Sequence, residues 1–234
     1  GVISKGATSY GPTDDNSSIR ALNCALDSGI NFFDTSNVYG GGHSESLIGK
    51  TLLKFRNRVL IATKVGLVNY DEPADFSIKN LSTSLKGSLK RLKTDYIDLL
   101  QLHNPSPHVI QNNHDILTWV DQLKKKGIIR AFGVSVKSPK EGIEAIEQLR
   151  VESVQVNLNL LDNRAIESGL MKSATTNQVS LIARTPLCFG FLSGKINKTT
   201  HFDKQDHRSR WPNRQIQNWI EDSKKVLSCK TDSS

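Results

Sequence analysis

The chain has 234 residues, a formal net charge of +8, and 37% hydrophobic and 23% charged residues, a balance that excludes a disordered chain. No apolar run reaches the roughly 20 residues that span a bilayer, so no membrane partner is expected. The 31 lysines and arginines are spread along the chain without interleaved aromatic residues, which argues against nucleic acid and for a small anionic ligand such as a phosphate-bearing cofactor.

In chain order, GVISKGATSYG lacks a signal-peptide pattern as written. A helix is expected after Thr13-Asp14-Asp15, turning Ile19, Leu22 and Leu26 inward. INFFD (30–34) then reads as a buried strand. It runs into Asp34, Thr35, Ser36, Asn37 and Tyr39, a set that turn chemistry alone explains in part. GKT at 49–51 lacks the earlier glycine of a phosphate loop, since position 44 is Ser44. RVLIATK (58–64) is a second strand, followed by a helical stripe of Ile78, Leu81, Leu85, Leu89 and Leu92.

YIDLLQLH (96–103) and IIRAFGVS (128–135) continue the alternation. Ser138, Pro139 and Glu141 open a helix carrying Ile143, Ile146 and Leu149. SVQVNL (153–158) and VSLIAR (179–184) are the last two strands in sight. From about 196 to 213 the chain reads as a polar loop, with His201 and His207 as bland members, and RQIQNWIEDSKKVL then forms a final amphipathic stretch. Cys24, Cys188 and Cys229 share no CxxC spacing, which opposes a disulfide framework or zinc site and favours a reducing, cytoplasmic setting. Repeated βα units predict one domain over 1–234, as a (β/α)8 TIM barrel or a doubly wound open sheet. An eighth strand and a C-terminal helix beyond it are not evident.

In a parallel barrel the C-terminal strand ends face one site. Those ends hold Asp34 and Tyr39, Lys64, His103 and Ser135, and Gln155 lies within the run that follows. Tyrosine is a weak acid at neutral pH, and a nearby lysine is expected to lower its pKa, with Asp34 holding the ammonium in place. His103 can donate to a carbonyl oxygen. A hydride source completes carbonyl reduction, and a nicotinamide can supply it. The alternative is a buried ion-pair network without catalysis.

With GINFFDTSNVYGGGHSESLIGKTL, VLIATKVG, LKRLKTDYIDLLQLHNP, GIIRAFGVSV, VQVNLNLLD and IARTPLCFGFLSGK, the sequence resembles the aldo-keto reductases from about residue 10 to residue 215. The resemblance implies a catalytic tetrad of Asp34, Tyr39, Lys64 and His103, with Tyr39 as general acid. It implies NADPH, less often NADH, across the barrel mouth and a small-molecule carbonyl substrate. Ser135 and Gln155 fall where the family holds the carboxamide. By the same resemblance Arg184 falls near where the family packs the nicotinamide ring, usually with an aromatic residue, and Leu187, Gly190, Leu192 and Gly194 fall in the loop that lines the pyrophosphate. The sequence departs from the family at Val136, where asparagine is usual. It also shows no match to the eighth strand and phosphate-gripping segment, and at most GVIS for the first strand, so segments beyond these residues are expected. A cofactor-binding regulatory protein with little turnover is the competing class, and a truncated, poorly folding product is the third.

Overall fold

The computed structural model describes residues 13–229, so the GVIS stretch lies outside the described residues. Six strands are present there: β1 (Phe32–Asp34), β2 (Leu60–Val65), β3 (Ile97–His103), β4 (Ile129–Ser135), β5 (Ser153–Asn157) and β6 (Ser180–Arg184). Each coincides with one of the apolar runs. All are parallel and lie side by side in chain order. A doubly wound sheet reverses its strand order partway. This one does not, and it forms an incomplete (β/α)8 barrel with β1 and β6 as its edges among the described residues.

The helices are α1 (Asp15–Asp27), α2 (His43–Leu52), α3 (Ile78–Leu92), α4 (Pro107–Gln111), α5 (His114–Lys125), α6 (Pro139–Leu149), α7 (Arg164–Glu167), α8 (Leu170–Thr176) and α9 (Asn213–Ser228). Side chains start several of them. The carboxylate of Asp14 accepts from Ser17 N at 2.8 Å. Ser138 and Glu141 close a reciprocal capping box at α6. The GKT triplet is part of α2, with no strand-loop context for a phosphate. Gly49 allows α2 to press on α3, because a Cβ there would stand 2.4 Å from Arg91 O. None of these helices is long and apolar enough to cross a membrane.

The pairing register sorts the strand residues onto two faces, since partners in adjacent strands point the same way and neighbours along a strand point opposite ways. The outer set includes Phe33, Ile61, Val65, Leu100, Leu102, Phe132, Val134, Val154 and Val156, all buried in the hydrophobic core beneath the helices. Each such side chain contributes roughly 1.5–3 kcal/mol through burial. The inner face is graded. Toward the N-terminal strand ends it lines a cavity of about 500 Å³ with Phe32, Leu60, Leu99, Ala131, Ser153 and Ile182. Toward the C-terminal ends it turns polar.

After β6 the chain makes a 3-10 turn at Cys188–Ser193 and another at His207–Arg210. The polar stretch before α9 is more packed than its composition predicts. Phe189 meets Trp211 and Trp219 at ring-centroid distances of 4.9 and 5.9 Å, and Phe191 meets Trp219 at 5.3 Å. His207, expected to be a bland loop residue, is wedged against Phe189 at 5.7 Å and Trp211 at 5.0 Å.

Candidate active site

The register brings the polar inner-face residues into one row. Lys64 of β2 pairs with Gln101 of β3. His103 pairs with Ser135, Ser135 with Gln155, and Asn157 with Arg184. Asp34 ends β1 opposite Ala62, two residues before Lys64, and so shares its face. Tyr39 arrives from the turn after β1. That turn needs Gly40, Gly41 and Gly42, whose φ values of 66°, 58° and 92° are left-handed.

Lys64 is fully buried, at 0% exposure. Its Nζ donates to Asp34 Oδ2 at 2.5 Å and to the Thr35 carbonyl at 2.8 Å. Gln101 Nε2 donates to the other oxygen, Asp34 Oδ1, at 2.9 Å. The carboxylate is therefore clamped from both sides, and the ammonium sits 5.2 Å from the centre of the Tyr39 ring. Burial pulls the Lys64 pKa down, while the Asp34 carboxylate opposes that shift.

The Tyr39 and His103 rings meet edge to face at 6.0 Å. Burial pushes the Tyr39 phenol up to about 12, Asp34 adds to this and Arg184 opposes it. This corrects the expectation that lysine lowers the phenol. The charge of Lys64 is compensated at 2.5 Å by Asp34, so desolvation dominates. The phenol is held protonated at neutral pH, the state a proton donor needs. Burial, with Lys64 and Arg184 nearby, drives the His103 pKa down to about 3, so its ring is neutral. Nδ1 lies 3.1 Å from Ser36 Oγ.

Ser135 and Gln155 are buried, at 0% and 4% exposure. The Gln155 side-chain amide has no hydrogen-bond partner among the described residues. A buried amide with one free donor edge and one free acceptor fits a carboxamide. Arg184, at the end of β6, donates from Nε to Asn157 Oδ1 at 2.7 Å, and from Nη1 to Asn104 Oδ1 and Ser135 Oγ at 3.3 Å each. The 3-10 turn holds Gly190, Leu192 and, at its end, Gly194, with both glycines at positive φ (98° and 73°). Leu187 precedes the turn and is 55% exposed. Val136 is fully buried in the core, so the amide usual at that position has no counterpart there.

Sequence reasoning missed Gln101, Ser36, Asn104 and Asn157 as members of this site. Gln101 was within reach, because it stands two residues before His103 on a strand and must share its face. Ser36 had no such signal, since its partner is 67 residues away in sequence. No group of His, Cys, Asp or Glu among the described residues has the arrangement of a metal site.

Comparison with known proteins agrees with this architecture. The model of the Aldo/keto reductase family matches residues 2–233. Over 222 residues the chain is 34% identical to the aldo-keto reductase YhdN of Bacillus subtilis, covering 91% of this chain and 64% of that protein. It is 30% identical to the aldo-keto reductase yakc [NADP(+)] of Schizosaccharomyces pombe, covering 90% and 64% respectively. The chain thus spans about two thirds or less of these curated relatives. The glycerol dehydrogenase AKR11B4 of Gluconobacter oxydans superposes with a TM-score of 0.77 at 33% identity, covering 94% of this chain and 70% of that one. For the aldo-keto reductase AKR11C1 of Bacillus halodurans in its holo form, the TM-score is 0.73 at 28% identity, with 98% and 73% covered.

Proposed function

The chain belongs to the aldo-keto reductase family, and from that premise we propose that it reduces an aldehyde or ketone to an alcohol with a nicotinamide cofactor. The observation that carries this reading is the joint placement of four side chains. Lys64 is clamped on Asp34 at 2.5 Å, its ammonium lies 5.2 Å from the Tyr39 ring, and that ring meets His103 at 6.0 Å.

A bound NADPH, or less often NADH, supplies the hydride that side chains cannot. Ser135 and Gln155 would hold its carboxamide and Arg184 would flank the ring. Leu187, Gly190, Leu192 and Gly194 would lie along the pyrophosphate. Tyr39 gives its phenolic proton to the carbonyl oxygen as the carbonyl carbon accepts hydride, and neutral His103 steadies that oxygen with a hydrogen bond. Asp34, Gln101 and Lys64 hold the proton donor in place. Free cysteines at 24, 188 and 229 suit a cytoplasmic setting.

The test is an NADPH titration followed by steady-state oxidation of NADPH with a generic aldehyde. Saturable binding with turnover supports the reductase. Binding without turnover, under conditions where Tyr39→Phe behaves identically to wild type, favours the regulatory alternative.

A further inference from the structure

The hydrogen-bond role given to His103 requires one particular ring nitrogen to carry the hydrogen. His103 Nδ1 lies 3.1 Å from Ser36 Oγ, and Ser36 is fully buried. The other nitrogen, Nε2, has no hydrogen-bond partner among the described residues and is left to meet a ligand. Ser36 has one hydroxyl hydrogen and two acceptors in reach, His103 Nδ1 and Asn37 Oδ1, both at 3.1 Å. Asn37 is oriented by its own Nδ2, which donates to the Leu67 carbonyl at 2.8 Å and so turns its oxygen toward Ser36. Val38 N donates to Ser36 Oγ at 3.4 Å and occupies one lone pair.

Two arrangements satisfy these contacts. If Ser36 donates to Asn37, then His103 must donate from Nδ1 to Ser36, and Nε2 becomes a bare acceptor. If Ser36 donates to Nδ1, the ring hydrogen sits on Nε2. A carbonyl oxygen only accepts, so only the second arrangement serves it. We infer that Ser36 is a positioning residue, donating its hydroxyl hydrogen to His103 Nδ1 and thereby holding the ring hydrogen on Nε2.

Exposure favours the same choice. Asn37 is only partly buried, so water can replace Ser36 as the donor to its oxygen, whereas His103 is 5% exposed and Ser36 is the partner of Nδ1 among the described residues. The ring stays neutral across the ordinary pH range, with its pKa pushed down to about 3, so a single hydrogen is divided between two nitrogens and its location matters. The choice made from the carbonyl oxygen rests on the reductase reading; the choice made from exposure does not.

The experiment is a long-range proton–nitrogen correlation on the full chain labelled with ¹⁵N-histidine, with His103→Gln used to assign its signals. The expected wild-type spectrum shows His103 protonated at Nε2 and bare at Nδ1. Ser36→Ala should convert this to a mixture of tautomers and lower kcat about tenfold, a part of the ~10²–10⁴ that a positioned acid–base group contributes. KM for NADPH should not change. Ser36→Thr, which keeps a hydroxyl, should restore the single tautomer. A hydrogen on Nδ1 in the wild type, or an unchanged tautomer in Ser36→Ala, overturns the inference. If Ser36→Ala does not fold, the wild-type spectrum still decides. Absence of turnover with the hydrogen on Nε2 would sink the reductase reading and leave Ser36 in its place; turnover with the hydrogen on Nδ1 would do the reverse.

Discussion

Along β3, Leu100 and Leu102 are sealed against the helices, while Gln101 and His103, their immediate neighbours, face the opposite side of the sheet. The same alternation holds in β2, where Ile61 and Val65 face out and Lys64 faces in. The outer face is a continuous apolar layer and obeys the ordinary rule that burial stabilises. The inner mouth is less evenly buried, with Lys64 sealed and Asp34 open to solvent, and contains an ammonium, a carboxylate, an imidazole and two amides. Some of its polar groups partner one another, as in the clamp around Asp34, while the Gln155 amide has no partner among the described residues. Stability and chemistry are thus divided by residue parity on shared strands.

Substitutions on the two faces should therefore give opposite signatures. The largest effect is expected for Tyr39→Phe, which removes the donated proton and leaves the ring in place. Aldehyde turnover should fall by about 10³-fold, while NADPH affinity and the urea midpoint stay near wild type; surviving turnover would refute the role of the phenol. On the outer face, Phe132→Ala empties a site that is 1% exposed. Chemical denaturation should register a loss of about 4 kcal/mol, with kcat little changed for the fraction that remains folded.

Lys64→Met tests the residue that belongs to both descriptions, being fully buried and part of the mouth. It leaves the Asp34 carboxylate without its cation, and should cost about 3 kcal/mol in denaturation as well as activity. A loss in only one of the two would show that the faces are more separable than the geometry implies. The last expected effect concerns pH. His103 in the folded chain is depressed to about 3, below its ordinary value of 6.5. Between these limits the unfolded chain binds the proton that the folded one refuses, so stability falls as pH drops through that window. His103→Gln should flatten this part of the urea-midpoint profile, and an unaltered slope would mean that other groups set it.

Much of this was legible in the sequence because the barrel writes its site at strand ends. Each apolar run became a strand, and Asp34, Lys64, His103 and Ser135 could be picked out by where those runs stop, with Gln155 inside the next one. What was hidden depended on distance or on desolvation. Ser36 meets His103 only after β1 and β3 come together, and no local spacing announces that contact. The upward shift of Tyr39 was misread because the lysine and its carboxylate partner are visible in sequence while the burial of the phenol is not. The stretch from 196 to 213 reads as polar, yet Trp211 and His207 fold back onto Phe189, and that packing follows no period along the chain.

That aromatic cluster joins the turn at Cys188–Ser193 to α9 through Phe189, Phe191, Trp211 and Trp219. Rings interlocked in this way do not loosen singly. In amide hydrogen exchange the turn and the last helix should open as one cooperative unit, with a shared free energy. The clock for exposing the turn is then set by the helix behind it.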